Sequence, residues 1–318
     1  MNSYTNHIDE KLKEFANKVV PYPEHKRALE TIMRCVETTR QRGEPSSALI
    51  TGESGTGKST VSRLAVSMFG EPTVVTTESG SVQTYPAIFQ ALLGVPTLKS
   101  LSSDLLNKLG ATDLTGDTSA LFNRLVRLLK TSQTKLIVLD EFDKILDKGA
   151  VKSQVMTCNW LRSLMNETLI PVVIVGVPKC EEIITANPQT SRRYPYRLEM
   201  HQLEYAAVNP KSVLTQTLRS LGQDIKEIGG FDNCVSFSGD HALTAMYLAT
   251  GGNLNGIRLI LNDSFRTALI RNDGSFTLED MADAFEPMTV DTVINTYGNP
   301  FRMKIEALKK AVSRGNTH

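Results

Sequence analysis

The chain has 318 residues, 41% hydrophobic and 22% charged, with a formal net charge of +1. That length builds a sizeable core and suggests one large domain or two smaller ones, with the composition of an ordinary globular protein. The near-zero charge excludes a globally basic nucleic-acid coat, so a DNA-binding surface must be local and offset by acids elsewhere. The four cysteines, Cys35, Cys158, Cys180 and Cys234, form no C-x-x-C pair. This argues against zinc and for reduced, buried thiols in a cytoplasmic protein. The opening MNSYTNHIDEKLKEF has no signal-peptide core, and the longest apolar stretch, LIPVVIVGVP at Leu169–Pro178, is too short to span a bilayer.

In chain order, Leu29, Ile32, Met33 and Val36 repeat with helical spacing, and Gly43 ends that helix. SALI at Ser47–Ile50 reads as a short buried strand, followed by GESGTGKST and a helix STVSRLAVSMF. TVVTTE at Thr73–Glu78 reads as a second strand and PAIFQALLG as a helix ending at Gly94. The stretch VPTLKSLSSDLLNKLGATDLTGD is rich in turn residues and receives no assignment. SALFNRLVRLLK is a helix with Leu121, Leu125, Leu128 and Leu129 on one side, and KLIVLDEFD is a buried strand ending in acids. VKSQVMTCNWLRSLMNE is a further helix and PVVIVGVP a further buried strand. Apolar strands alternating with helices, as far as about Leu203, imply a parallel sheet covered on both faces. Beyond it, DHALTAMYLAT, NLNGIRLILNDSFRTALI and TLEDMADAF are mostly helical. The expected organisation is an N-terminal segment (1–20), an α/β nucleotide-binding domain (21–203), a small helical domain (204–290) and a basic C-terminal tail (291–318).

The residues Gly52, Glu53, Ser54, Gly55, Thr56, Gly57, Lys58, Ser59 and Thr60 complete the pattern G-x-x-x-x-G-K-[ST]. A glycine loop between a strand and a helix turns backbone N–H groups toward a β-phosphate, and the helix dipole adds to this. Lys58 then reaches the β- and γ-phosphates, and Ser59 offers its hydroxyl to Mg²⁺. A chance Gly/Ser turn is the bland reading, disfavoured by the full motif in a strand–loop–helix setting. In LIVLDE, at Leu136–Glu141, two acids follow a buried strand. Ligands of parallel sheets sit beyond the strand ends. Asp140 is thereby placed to hold Mg²⁺ through water, and Glu141 to polarise an attacking water. Two acids in this arrangement point to ATP hydrolysis rather than transfer to a small molecule. Arg192 and Arg193 lie in NPQTSRRYPYRLEM at Asn187–Met200. A guanidinium near a transferring phosphoryl group stabilises developing charge, and a basic surface turn fits the same spacing.

The order of P-loop, LIVLDE, PVVIVGVP and SRRYP resembles AAA+ ATPases. The closer resemblance is to the TniB/TnsC group, ATP-dependent regulators of bacterial transposition. It rests on VVPYPEHKRALETI, LITGESGTGKST, LIVLDEFDKIL, NWLRSLMNETLIPVVIVGVP and ANPQTSRRYPYRL, and spans Pro21 to Glu286, about five-sixths of the chain. It implies an AAA+ P-loop NTPase core, a parallel sheet flanked by helices, followed by a small helical lid domain. It also implies ATP and Mg²⁺ as cofactors, and rings or helical filaments on double-stranded DNA with ATP between subunits. The assembly would link a target-selection protein to transposase subunits, with hydrolysis promoting disassembly.

Residue by residue, the resemblance implies that Val20, Pro21 and Tyr22 lie near the adenine. It makes Arg193 the arginine finger, with Arg192 in reserve. Two departures stand out. Val177 occupies the place of a polar sensor, and Asn255 stands where the helical-domain sensor has Arg, with Arg258 one turn later. Weak sensing of the γ-phosphate would fit slow hydrolysis. DNA would occupy a central channel, near Lys99, Lys108, Arg124 and Arg127, with Lys99 and Lys108 the candidate contacts. Solvated helix faces are the bland reading of these lysines. The stretch FRMKIEALKKAVSRGNTH, with Arg302, Lys304, Lys309, Lys310 and Arg314 against Glu306, reads as a docking helix or a frayed tail. The alternatives are an initiator or helicase loader, and a P-loop signalling or interaction ATPase without a DNA partner. The first would carry a winged-helix or helix-turn-helix domain after the lid, for which about thirty residues beyond Phe285 are too few.

Overall fold

The structure, a computed structural model, describes residues 3–18, 22–77, 80–146, 151–206, 209, 211–288 and 298–315. Helix α1 (Ser3–Asn17) precedes α2 (Pro23–Arg42), whose apolar stripe buries Ala28, Ile32 and Cys35. Strand β1 (Ala48–Gly52) leads through the glycine loop into α3 (Lys58–Ser67). Next come β2 (Thr73–Thr77), β3 (Gly80–Thr84) and β4 (Ala87–Ala91), then α4 (Leu98–Lys108) and α5 (Thr118–Thr131). β5 (Leu136–Asp140) runs into a 3-10 turn at Phe142–Ile145 and α6 (Val151–Thr168). β6 (Val172–Gly176), α7 (Cys180–Thr185), α8 (Pro188–Ser191) and β7 (Tyr196–Met200) follow. The remainder comprises α9 (Val213–Gly229), β8 (Asn233–Cys234), α10 (Asp240–Thr250), α11 (Leu254–Arg271), β9 (Ser275–Phe276), α12 (Leu278–Phe285) and α13 (Ile305–Gly315). Two compact units result, Glu24–His201 and Met1–Pro23 with Gln202–His318. Among the described residues no helix is long and apolar enough to cross a membrane.

The first unit is built on a five-stranded sheet in the order β4-β5-β6-β1-β7, parallel throughout. Its three central strands, ALITG, LIVLD and VVIVG, are buried at every position. Strands covered on both faces read as unbroken apolar runs, and that is how these read. The edge strands β4 and β7 are only partly buried. Leu121, Leu125 and Leu129 of α5 and Leu161, Leu164 and Met165 of α6 join Ile137, Leu139, Val172 and Ile174 in one core.

Two expectations fail here. The segment PAIFQALLG forms a strand, β4, instead of a helix, and pairs with β5 from Ala87↔Leu136 to Ala91↔Asp140. Its Ile88, Leu92 and Phe89 satisfy either period; pairing against a buried strand overrides the helical preference of Ala, Gln and Leu. The segment TVVTT is a strand but not one of the parallel sheet. It pairs antiparallel with β3, Thr73↔Thr84 to Thr77↔Gly80, with Val74 and Val75 exposed. The unassigned stretch contains α4, started by a capping box in which Thr97 and Ser100 exchange hydrogen bonds.

The second unit gathers α1 with the helices after β7. Phe15 of α1 packs edge-on against Phe265 (5.6 Å), and Phe231 meets both Phe265 (5.9 Å) and Phe276 (6.1 Å). The basic C-terminal stretch is helical up to Gly315, with Leu308 and Val312 buried. It is tied inward: Arg302 bridges to Glu279, Asp283 and Glu286, Lys309 to Asp240, and a His241 ring nitrogen lies 2.8 Å from the Met303 carbonyl oxygen.

Two glycines mark where backbones meet. A Cβ on Gly52 (φ +152°) would stand 2.2 Å from the Met200 carbonyl oxygen, and one on Gly252 (φ +78°) 1.9 Å from that of Leu203. Neither neighbour is a flexible side chain. Gly252→Ala is expected to destabilise by about 2–4 kcal/mol, from left-handed strain plus the clash. Gly52→Ala should cost a similar amount through the β1–β7 contact alone. Chemical denaturation checks both, and a loss below about 0.5 kcal/mol in either would contradict this packing.

Candidate nucleotide site

Strand β1 carries its chain to the C-terminal edge of the sheet and releases it there as the loop Gly52–Gly57. Gly55 (φ +79°) and Gly57 (φ +88°) hold left-handed backbone that a side chain would strain. Gly57 is also the N-cap of α3, and no side chain caps that helix. The first-turn N–H groups of a ten-residue helix are thus left for an anion. Lys58 Nζ donates to the Gly52 and Glu53 carbonyls, both at 2.7 Å, and lies 3.5 Å from Thr56 Oγ1. Thr56 Oγ1 in turn donates to the Glu53 carbonyl at 2.9 Å. Burial pushes the Lys58 ammonium below the usual lysine value, while Asp140, Asp143 and Glu53, in that order, hold it up. Ser59 is half-buried in the first turn, and Ser54 and Thr60 are exposed.

Because β6 lies between β5 and β1, the acids after β5 and the loop after β1 flank the end of β6. Asp140 is 3% exposed, and its Oδ1 accepts the Glu141 N–H at 2.9 Å. That bond accompanies a left-handed backbone at Glu141 (φ +56°, ψ +39°), uncommon for a residue other than glycine. The Glu141 side chain is exposed. Asp143, in the 3-10 turn, is half-buried, and its Oδ1 is 3.2 Å from where a Cβ on Gly176 would stand. Reading only the pair LDE overlooks Asp143. No local spacing signals it, because Asp140 ends the strand and the left-handed Glu141 separates it from the 3-10 turn that carries Asp143.

Among the described residues no group of three or more His, Cys, Asp and Glu gathers to cage a metal. The Ser59 hydroxyl and the buried Asp140 carboxylate form a sparse all-oxygen set. That fits Mg²⁺ arriving with phosphate and water ligands, and these two residues would hold it.

The arginine turn stands at the other edge of the sheet. β1 and β7 run parallel from Ala48↔Tyr196 to Gly52↔Met200, so Arg192 and Arg193 precede β7 where β1 begins. One strand length, about 15 Å, separates that edge from the glycine loop. Arg193 accepts the Ser47 N–H on its carbonyl (2.7 Å) and pairs with Glu44 at 3.5 Å. Arg192 is exposed and makes no ion pair among the described residues. Tyr194, next in the chain, is 1% exposed and anchors the turn.

Other expected residues are distributed as follows. Val20 and Pro21 lie outside the described residues, and Tyr22 is buried. Arg258, expected as a sensor, donates from one guanidinium nitrogen to the Phe15 (2.9 Å) and Ala16 (3.1 Å) carbonyls at the end of α1, over the Phe15 ring. Val177 follows β6 and is half-buried. Lys99 and Lys108 are exposed in the first and last turns of α4. Arg124 closes the loop before α5 by pairing with Asp113 (2.9 Å), whereas Arg127 is exposed.

Comparison with curated proteins returns no match. Among solved structures, the ORC2 protein of Aeropyrum pernix, with ADPNP and ADP, matches at TM-score 0.63 and 14% identity, over 87% of this chain and 71% of that one. ORC1 of the same organism, in complex with DNA, gives 0.55 and 20%, over 83% and 65%. Cdc6p of Pyrobaculum aerophilum gives 0.56 and 16%, over 85% and 69%. At these identities the likeness is one of fold, and it is the AAA+ fold: a parallel sheet flanked by helices with a helical region after it. The family profile of the bacterial TniB protein matches residues 12–203, a span that includes the glycine loop, both acids and the arginine turn, so the chain belongs to the TniB family.

Proposed function

We propose that the protein is an ATP-dependent regulator of DNA transposition. It would assemble on double-stranded DNA and present a surface linking a target-selection protein to transposase subunits. The observation that carries this reading is the separation of the two halves of the site. Phosphate donors stand at one edge of the sheet and the arginine turn at the other. A subunit therefore cannot bring Arg192 or Arg193 to its own phosphates, but its neighbour's arginines can approach them. ATP bound between subunits makes the nucleotide an assembly switch.

In this mechanism Lys58 and the α3 N-terminus hold the β- and γ-phosphates, and Ser59 and Asp140 hold the Mg²⁺ that screens their charge. Glu141 draws a proton from the attacking water, and an arginine of the adjacent subunit steadies the transferring group. Hydrolysis weakens the contact and promotes disassembly. The TniB match supports transposition over replication initiation as the setting. Among the structures of similar fold, the Aeropyrum ORC1 complex contains DNA, which supports a DNA partner here. Lys99 and Lys108 are the proposed phosphate contacts on DNA, where cations act without regard to base sequence.

Electron microscopy with ATP, with and without duplex DNA, tests the assembly. Wild type should form DNA-dependent rings or filaments, Lys58→Ala none, and Glu141→Gln should form them and fail to release them. A Glu141→Gln protein that cannot assemble would sink the switch. Completion by a neighbour has its own test. Lys58→Ala subunits and Arg192→Ala/Arg193→Ala subunits should each lose hydrolysis by about 100-fold or more. Mixing the two should restore part of it, because each supplies what the other lacks. A mixture no more active than its components would refute a shared site.

A further inference from the structure

The end of β6 is where this site lacks a side chain. The strand closes on Gly176, and the following Val177 is apolar. A Cβ on Gly176 would stand 2.5 Å from the Cys180 thiol and 3.2 Å from Asp143 Oδ1. The missing side chain is therefore what lets two groups from neighbouring turns close over the strand end. One is chemically quiet: burial, with Asp143 adding to it, pushes the Cys180 thiol up to about 12. The other is a half-buried carboxylate with no hydrogen-bond or ion-pair partner among the described residues. Its place, between β5, which carries Asp140, and β1, which leads into the glycine loop, is where ligands of parallel sheets sit.

An ionised carboxylate only accepts hydrogen bonds, so Asp143 cannot bind γ-phosphate oxygens directly. Of the groups that act on it, Lys58 is the charged donor and the neighbouring Cys180 thiol is only a weak one. Lys58 already donates to the Gly52 and Glu53 carbonyls and faces the phosphates. Water is the donor that remains. We propose that Asp143 positions the attacking water at the end of β6, supplying from the turn after β5 the polar group that β6 lacks. The assignment rests on the hydrolysis proposed above. In the step it serves, the water oxygen forms the new bond to the γ-phosphorus. The bond from phosphorus to the bridging oxygen breaks, its electron pair staying on ADP. The water's proton passes to Glu141 and from there to the released phosphate.

The test compares wild type with Asp143→Asn, an isosteric change that removes the charge and no existing hydrogen bond. Affinity for a fluorescent, non-hydrolysable ATP analogue is measured without metal, and hydrolysis in single turnover with Mg²⁺. Affinity should stay within about twofold while hydrolysis falls at least about tenfold. Asp143→Ser should show the same split, and Cys180→Ala, on the other side of Gly176, should hydrolyse ATP within about twofold of wild type. Asp143→Asn hydrolysing at the wild-type rate overturns the assignment. So does a parallel loss of affinity, which would make Asp143 a partner of Lys58, or an equal loss in Cys180→Ala, which would reduce the effect to packing. Absence of hydrolysis in wild type would instead remove the proposed function itself, and the assignment with it.

Discussion

The molecule depends on β1 being buried on both faces and bonded on both sides, to β6 and to β7. A central strand of a parallel sheet cannot shift register without breaking two ladders and moving its apolar side chains. The point where it ends is therefore fixed, and with it the glycine loop. Gly52 tightens this further, since its Cα lies against the Met200 carbonyl where no side chain fits. The same register ties Ser47 to Arg193 at the opposite end of the strand. One strand thus sets both the phosphate donors and their distance from the arginines. The proposed partition of the site between subunits asks for nothing beyond this sheet geometry.

Three carboxylates then divide the space beyond the sheet by the backbone that carries them. Asp140, last in its strand, is buried and half-satisfied by the Glu141 N–H. The left-handed turn it accompanies leaves Glu141 exposed, the price of which is strain at one residue. Asp143 returns on the next turn to the end of β6. A straight continuation of the strand would have sent alternate residues to opposite faces. The turn instead keeps two of the three acids beside Lys58, where they offset the effect of its burial. Their charges oppose the desolvation that lowers the Lys58 pKa, without cancelling it.

What was legible in the sequence tracks burial. β1, β5 and β6 are covered on both faces, so their apolar runs admit no other reading, and the glycine loop announces itself through residues with positive φ. Edges were harder. Ile88, Phe89 and Leu92 suit a helix as well as a strand, and only β5 alongside decides between them. Val74 and Val75 imitate a core strand in a hairpin that leaves them exposed. Helix α4 was masked by its own cap, because Thr97 and Ser100 count as turn residues until their mutual hydrogen bonds are seen. Long-range partnerships are beyond a local pattern altogether. Nothing near Arg258 in sequence indicates that it meets the carbonyls of Phe15 and Ala16, and nothing near α1 indicates that Phe15 belongs with Phe265.

Charge is the case where counting misleads most. The C-terminal stretch carries five Lys and Arg against one acid, and as a free tail it would add strongly to any attraction to DNA. Folded, it has Arg302 among three carboxylates and Lys309 on Asp240. Exposed pairs of this kind add little stability. Their effect is to cancel field, so the basic stretch attracts far less than its formula suggests. Lys99, Lys108 and Arg127 are fewer, but they are exposed and make no ion pair among the described residues. Each releases its full share of counterions on meeting a phosphate. On the proposed function, contact with DNA rests on cations that the chain's own acids leave unmatched, and α4 and α5 hold three of them.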